Sequence, residues 1–411
     1  MRAPVLLFLA ADAASLLGNS FIGVVLPWLV LSRTGDPAAA GLVAAVTALP
    51  AVAAALIGGW LVDRLGRRNM SIVSDAGSAL AVAAIPLVDA TVGLSVEWFI
   101  VLGVLGALFD VPGMTARESL LPDIGRAGGV SLDRLSGIRE GIFGVAFLAG
   151  PAMAGLALTA FDPIAVVLVT AGTSALAALC TALVPRSVGM RAALAVHESP
   201  RRQLMGGFAI LRGDRLLVAL TVLSIGSAAV IAPLQTLLLP SWFSRMDAPG
   251  MLGLSLSALA LGTLLGAGAY TAAAGRIRRR TAYLACLAVI AAGMLLLATL
   301  LHPAVVVIAM FVCGAGSGLL SPIIPVVVAN RVPDSHRGRV FGVQNAAVMF
   351  TMPLAIGAAG MLAARSLVWA FAAATVVWLV VALYGFLVPG MRLLDDPPAA
   401  EEPVHTVDTP C

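Results

Sequence analysis

Gly59-Trp60-Leu61-Val62-Asp63-Arg64-Leu65-Gly66-Arg67-Arg68 is a polar turn set between two long apolar runs. The chain around it is mostly hydrocarbon: 60% of its 411 residues are hydrophobic and 11% are charged. Mean hydropathy is +1.02. A water-soluble domain of this length has no interior large enough to hide that much apolar surface, so the chain reads as an integral membrane protein. Long strand-like alternation is absent, which argues against a transmembrane barrel. The abundance of Ala and Gly suits helices that pack closely through small side chains.

A hydrocarbon core about 30 Å thick needs about 20 apolar residues per helix. Working outward from the turn, twelve stretches meet that length. The first six are Val5 to Leu31, Ala38 to Val62, Met70 to Val88, Val96 to Ala116, Gly141 to Ala160 and Ile164 to Val184. The second six are Leu216 to Leu239, Met251 to Ala274, Ala282 to Leu301, Ala304 to Ala329, Val340 to Ala364 and Leu367 to Val388. All 25 basic residues are arginine. With the N-terminus in the cytoplasm, 22 arginines fall on the cytoplasmic side, and only Arg33, Arg245 and Arg365 fall outside. That asymmetry sets the expected orientation, with both termini inside, in a bacterial inner membrane.

The longest polar interruption separates two nearly equal halves. The expected organisation is a six-helix bundle over 1–185, a cytoplasmic loop over 186–215, a second six-helix bundle over 216–390 and a disordered cytoplasmic tail over 391–411. The halves repeat weakly: Gly59, Gly66 and Arg67 have counterparts in Gly268, Gly275 and Arg276, and Pro122-Asp123 is echoed by Pro333-Asp334. Such repeats imply two bundles related by an axis along the membrane normal. The expected fold is therefore all-α, with twelve transmembrane helices in two pseudo-symmetric bundles.

The chain excludes several function classes. No GxxxxGK[ST] loop is present for a nucleotide, and Cys180, Cys286, Cys313 and Cys411 have neither metal-ligand nor disulfide-framework spacing. No cofactor, metal or nucleic-acid partner is expected, and no enzyme activity. Energy would have to come from an ion gradient or from the substrate's own.

Gly59-x-Leu61-x-Asp63-Arg64-x-Gly66-Arg67-Arg68, between helices 2 and 3 of twelve, resembles the signature loop of the major facilitator superfamily. The resemblance covers roughly residues 5 to 390. Ser15-Leu16-Leu17-Gly18-Asn19, Thr34-Gly35-Asp36-Pro37, Arg117-Glu118-Ser119-Leu120-Leu121-Pro122-Asp123 and Arg337-Gly338-Arg339-Val340-Phe341-Gly342 are similar to the branch that holds the enterobactin exporter and macrolide-efflux proteins. Gly137, Gly150, Pro151 and Gly155 match part of the helix-5 motif of antiporters, with Ala146 and Ala154 where glycine is usual. The helix-4 arginine motif of many proton-coupled drug exporters is missing.

The resemblance implies a secondary transporter working by alternating access, with helices 1, 4, 7 and 10 lining a central cavity. Its expected partners are a small-molecule substrate, protons and the lipid bilayer, and the protein is expected to be a monomer. The leading reading is proton-coupled efflux of a small amphipathic compound such as an antibiotic or siderophore. An importer of a small metabolite and a non-transporting sensor are the alternatives. The resemblance also implies that Gly59, Asp63, Arg64, Gly66, Arg67 and Arg68 form a conformational latch. In it Asp63 would sit against the start of helix 11 near Val340 to Gly342, with Asp75 or Asp123 as neighbours.

Charges inside a membrane cost about 2.5–3.5 kcal/mol each on insertion scales, so each acid there needs a reason. Asp12, Ser15 and Asn19 share one face of helix 1, and helix 4 carries Asp110. Asp12 and Asp110 each lie about 10 Å from the cytoplasmic surface, at about 1.5 Å per residue, and are the proton-coupling candidates. The competing explanation is pairing with an arginine such as Arg117 or Arg139. Asp75 reads as a structural partner for Arg67, Arg68 or Arg139. Ser224, Ser227 and Gln235 on helix 7 and Ser317 on helix 10 are candidates for the substrate cavity, while Gly314 and Gly318 read as packing residues. The Gly150-Pro151 pair removes one helix hydrogen bond and permits a bend.

Overall fold

The computed structural model describes residues 3–189, 200–273, 276–320, 327–328, 331–332 and 334–395. It is helical throughout that range, with no strand among the described residues. The first six spans are α1 (Ala3–Thr34), α2 (Pro37–Leu65), α3 (Arg67–Thr91), α4 (Val96–Gly128), α5 (Leu132–Ala160) and α6 (Pro163–Leu183). A short helix, α7 (Pro200–Gly213), follows. The last six spans are α8 (Arg215–Ser244), α9 (Pro249–Ala273), α10 (Arg279–Ala298), α11 (Pro303–Leu320), α12 (Asp334–Arg365) and α13 (Leu367–Leu387), followed by a 3-10 segment at Pro389–Asp395. Ten of the described helices are long and apolar enough to cross a membrane, and α2 and α11 carry the shorter apolar stretches Pro37–Pro50 and Pro303–Leu319.

Local chemistry fixes many boundaries. Asp36, Asp162 and Asp214 cap α2, α6 and α8 by accepting backbone N–H bonds of 2.7–2.8 Å, and proline follows the cap in α2 and α6. Gly129, at φ +66°, ends α4, and the Val130 N–H donates back to the Gly125 carbonyl at 3.0 Å. Gly66, at φ +84°, takes the backbone from α2 directly into α3.

Three boundaries differ from the sequence reading. Helix 4 runs on past Ala116 to Gly128, and helix 5 begins at Leu132 rather than Gly141. The apolar count stops where arginines and acids begin, yet those polar turns extend the helices beyond the hydrocarbon. Helix 11 begins at Asp334, so Val340 to Gly342 lie inside α12 and not at its N-terminus. Within the stretch read as a central loop, residues 200–213 are helical and pack on α12.

The two sets of spans meet through glycine. A methyl built on Gly41 of α2 would lie 2.8 Å from the Gly360 Cα of α12. On Gly155 of α5 it would lie 2.6 Å from the Pro249 carbonyl and 2.9 Å from the Gly253 Cα. Trp28 and Leu31 of α1 share a core with Leu237 to Leu239 and Phe243 of α8. These contacts cluster at the arginine-poor end of the molecule, the end holding the α1–α2, α5–α6 and α8–α9 turns. The halves are packed shut there. Stretch 190–199, the tail from 396, and Gly275, Ser321 and Pro333 lie outside the described residues.

Candidate functional site

The first six spans enclose ions. Asp75 of α3 and Arg117 of α4 form a salt bridge in which each side chain is only 4% exposed. Close approach of the two helices makes it possible: a methyl on Gly113, one turn before Arg117, would lie 2.7 Å from the Ser74 Cβ. Asp12 of α1 is buried and accepts from Arg139 Nε of α5 at 3.2 Å. Arg139 also reaches the exposed Glu118 at 3.8 Å. Asp110 of α4 accepts from Asn19 Nδ2 of α1, at 3.0 Å to one oxygen and 3.2 Å to the other. Ser15 is buried on α1 beside Asp75.

The charges inside these spans do not balance. Asp12, Asp75 and Asp110 are three acids, and Arg117 and Arg139 are two bases. Asp110 holds a neutral amide as its hydrogen-bond partner, so the excess negative charge falls at that site. A buried carboxylate without a countercharge is costly, and protonation removes the cost. Asp12 Oδ1, Asp75 Oδ2 and Arg117 Nε have no hydrogen-bond partner among the described residues.

This arrangement corrects the sequence reading at one point. Asp75 pairs with Arg117 rather than with Arg67, Arg68 or Arg139, because the α3–α4 approach at Gly113 places them together. Asp12 pairs with Arg139, one of the two arginines named by the competing explanation, whereas Asp110 accepts from the neutral Asn19. Hydropathy puts Arg117 at the membrane edge and so hides its role. Its spacing of seven from Asp110 on one helical face is the available signal.

At the 59–68 turn, Arg67 Nη1 meets Asp123 Oδ2 at 3.1 Å, and Asp123 also pairs with Arg126. Arg68 donates to the Val184 and Ala182 carbonyls at 2.8 and 2.6 Å, capping the end of α6. Arg64 is exposed and, with Arg68 and Arg186, lines a cleft of about 710 Å³. Gly59 and Asp63 fall within α2, and the Asp63 side chain lies outside the described residues.

The other candidates separate. Pro151 and Gly155 are buried in the crossing of α5 with α9, where Ser257 Oγ accepts from the Ala152 N–H at 3.0 Å, whereas Gly150 packs on Ser20 of α1. Gly137 sits at the arginine-rich end of α5, and a methyl there would meet nothing within 4 Å. Ser224, Ser227 and Ser317 each donate to a carbonyl one turn back on their own helix, at 2.8–2.9 Å. Their hydroxyls therefore need no ligand. Gln235 lies in a π-helical turn, Leu234–Leu238, and lines a void of about 10 Å³ with Ser317, Cys313, Met294, Met310 and Trp378. Such a turn interrupts the regular ladder and often marks a functional position. Sequence reasoning missed Gln344, whose Nε2 donates to Thr221 Oγ1 at 2.9 Å across α12 and α8.

A polytopic helical protein whose first six spans bury an unbalanced ion network is built as a membrane transporter. The sequence pattern of the Major Facilitator Superfamily matches residues 8–269 and 236–409. The chain belongs to that superfamily. It is 32% identical over 404 residues to the multidrug efflux pump Tap of Mycolicibacterium fortuitum, covering 96% of this chain and 98% of that one. It is 34% identical over 409 residues to the multidrug efflux pump Tap of Mycobacterium tuberculosis, covering 97% of each. The fold is similar to the crystal structure of the nucleoside transporter NupG, with a TM-score of 0.72 at 14% identity, covering 96% of this chain and 98% of that one.

Proposed function

We propose that the protein exports a small amphipathic compound in exchange for protons. The observation that carries this is Asp110, a carboxylate held by Asn19 in a membrane interior where acids outnumber arginines. Similarity to the Tap efflux pumps supports the outward direction. The arginine-rich end is cytoplasmic in this reading, both termini lie there, and the membrane is the bacterial inner membrane. The spans before and after residues 186–215 are the two bundles that rock against each other, and the protein acts as a monomer.

With the arginine-poor end taken as the outer one, the packing at that end closes the substrate path to the outside. Protonation of Asp110 would weaken the hydrogen bonds it accepts from Asn19, the link between α4 and α1, and so loosen those two helices against each other. Arg67 with Asp123, and Arg68 on the α6 terminus, tie α3, α4 and α6 of the first set together, and the latch reading of the 59–68 stretch rests on its family resemblance. The Pro151 and Gly155 crossing on α9 is the pivot.

The test is ethidium accumulation in cells expressing the wild type or Asp110→Asn. Wild type should lower accumulation, a protonophore should restore it, and Asp110→Asn should behave as the empty vector at equal expression. Higher accumulation in expressing cells would indicate import and overturn the reading.

A further inference from the structure

Behind Asp110 lies a chamber of about 200 Å³ that the transport cycle above does not use. Four helices of one set of spans build it: α1 with Asn19 and Leu26, α3 with Ser78 and Ile85, α4 with Gly106 and Asp110, and α6 with Thr170 and Ser174. No residue lining it belongs to α8–α13. Its lining among the described residues thus belongs wholly to the first six spans.

Its walls change character along the membrane normal. At about 1.5 Å per residue, Asp110, Asn19 and Ser78 lie roughly 20 Å in from the arginine-poor end of their helices. Leu26, Ile85 and Leu102 lie roughly 10 Å in, by the same rise. The deep end is polar, and the Oγ of Ser78 and Oγ1 of Thr170 have no hydrogen-bond partner among the described residues. Thr170 is only 2% exposed. The volume suits about six waters at about 30 Å³ each, and the polar groups can hold several of them. Above the apolar neck, Arg33 and Asp89 meet at 2.6 Å, seven residues beyond Leu26 on α1 and four beyond Ile85 on α3. From the arginine-poor surface inward, α1 and α3 thus present an ion pair, then a buried apolar layer, then the chamber that ends at the carboxylate.

We propose that this chamber is a proton-entry site, a water-holding compartment that supplies Asp110 from the arginine-poor side while the substrate path on that side is shut. This rests on the proton-coupled reading. The step is a protonation: a proton adds to an Asp110 Oδ lone pair, that oxygen gives up the Asn19 hydrogen bond, and the carboxylate becomes a neutral acid. Among the described residues, the charged groups that interact with Asp110 are Arg117 on its own helix and Asp75 on α3, and the Asp12–Arg139 pair lies on α1 and α5. α6 contributes hydroxyls and no charge. Separate entry lets a proton arrive before the outer gate opens, so that the proton and the substrate need not share one doorway.

Gly106→Leu is the direct probe, since a methyl on Gly106 meets nothing within 4 Å and the side chain grows into the chamber. The first readout needs no substrate: the protonated carboxyl infrared band of Asp110, identified by its loss in Asp110→Asn, after an outside pH drop on reconstituted protein. Gly106→Leu should slow its appearance at least tenfold, and Thr170→Val about threefold. The second readout is ethidium transport in proteoliposomes. Flux driven by a pH gradient should fall at least tenfold in Gly106→Leu, and gradient-free ethidium exchange should stay within twofold. An unchanged protonation rate overturns the proposal, whether or not the wild type exports ethidium. Equal loss of driven flux and exchange also overturns it, because the chamber would then belong to the substrate path. If Gly106→Leu does not purify as a single folded species, Thr170→Val decides by the same protonation rate. Absence of gradient-driven flux in the wild type counts against the export reading alone.

Discussion

The first six spans and the last six solve the same packing problem with different materials. Among the described residues, Asp12, Asp75 and Arg117 are buried charges, all in the first set. The buried polar residues of the last set are neutral: Thr221, Ser241, Ser255, Ser257, Gln344 and Thr375. There, α9 and α11 press backbone against backbone. Methyls on Gly262 and Gly266 would strike the Phe311 and Ala315 carbonyls, and methyls on Gly314 and Gly318 would strike those of Leu259 and Thr263. Ion pairs are sensitive to protons and to small shifts in geometry, whereas glycine contacts do not respond to protons. The difference assigns ion chemistry to one set and a stiff frame to the other.

The contrast is broken most severely by removing half of the buried pair. Arg117→Met leaves Asp75 buried without its partner, and breaking such a pair costs about 3–5 kcal/mol. Thermal unfolding in detergent should show a large drop in stability, and Asp75→Leu with Arg117→Met should recover most of it. Failure of the double variant to recover would mean that the pair does more than balance charge.

A bulky residue at the crossing of the two sets comes next. Gly155→Val drives a side chain into the Gly253 backbone. Ethidium export should fall at least tenfold, and a cysteine placed near Trp28 should become open to an impermeant thiol reagent from outside. Continued protection of that cysteine would remove the crossing from the account of closure.

Gln235→Leu should alter half-saturation for ethidium severalfold while leaving thermal stability within about 1 kcal/mol, an ordinary size for a partly buried substitution. The smallest effects should come from Ser224→Ala, Ser227→Ala and Ser317→Ala. Each removes a hydroxyl already bonded to its own helix, so export should stay within twofold of wild type in the same accumulation assay. A large loss at any one would return that residue to the substrate cavity.

Much of this is legible in the chain. Apolar run lengths locate the twelve spans, and the Gly59–Arg68 turn together with the arginine asymmetry points to the family. The intramembrane acids Asp12, Asp75 and Asp110 stand out because charge is rare in such a sequence. The polar extensions of α4 and α5 are hidden because hydropathy reports burial in lipid and not helix length. Gly314 and Gly318 read as packing residues, and their backbone contacts on α9 agree with that.

What the sequence determined by itself was whatever depends on one segment at a time: the apolar spans, the arginine asymmetry and the presence of acids where lipid should be. Only the tertiary structure decided the partners. Asp75 meets Arg117 because Gly113 lets α3 and α4 approach, Asp110 meets Asn19 across α1, and Asp12 meets Arg139 on α5. Local propensity and hydropathy act within a helix, but the pairing of charges depends on how close two helices come and on how each is rotated about its axis. Those two quantities are set by packing against every neighbour at once.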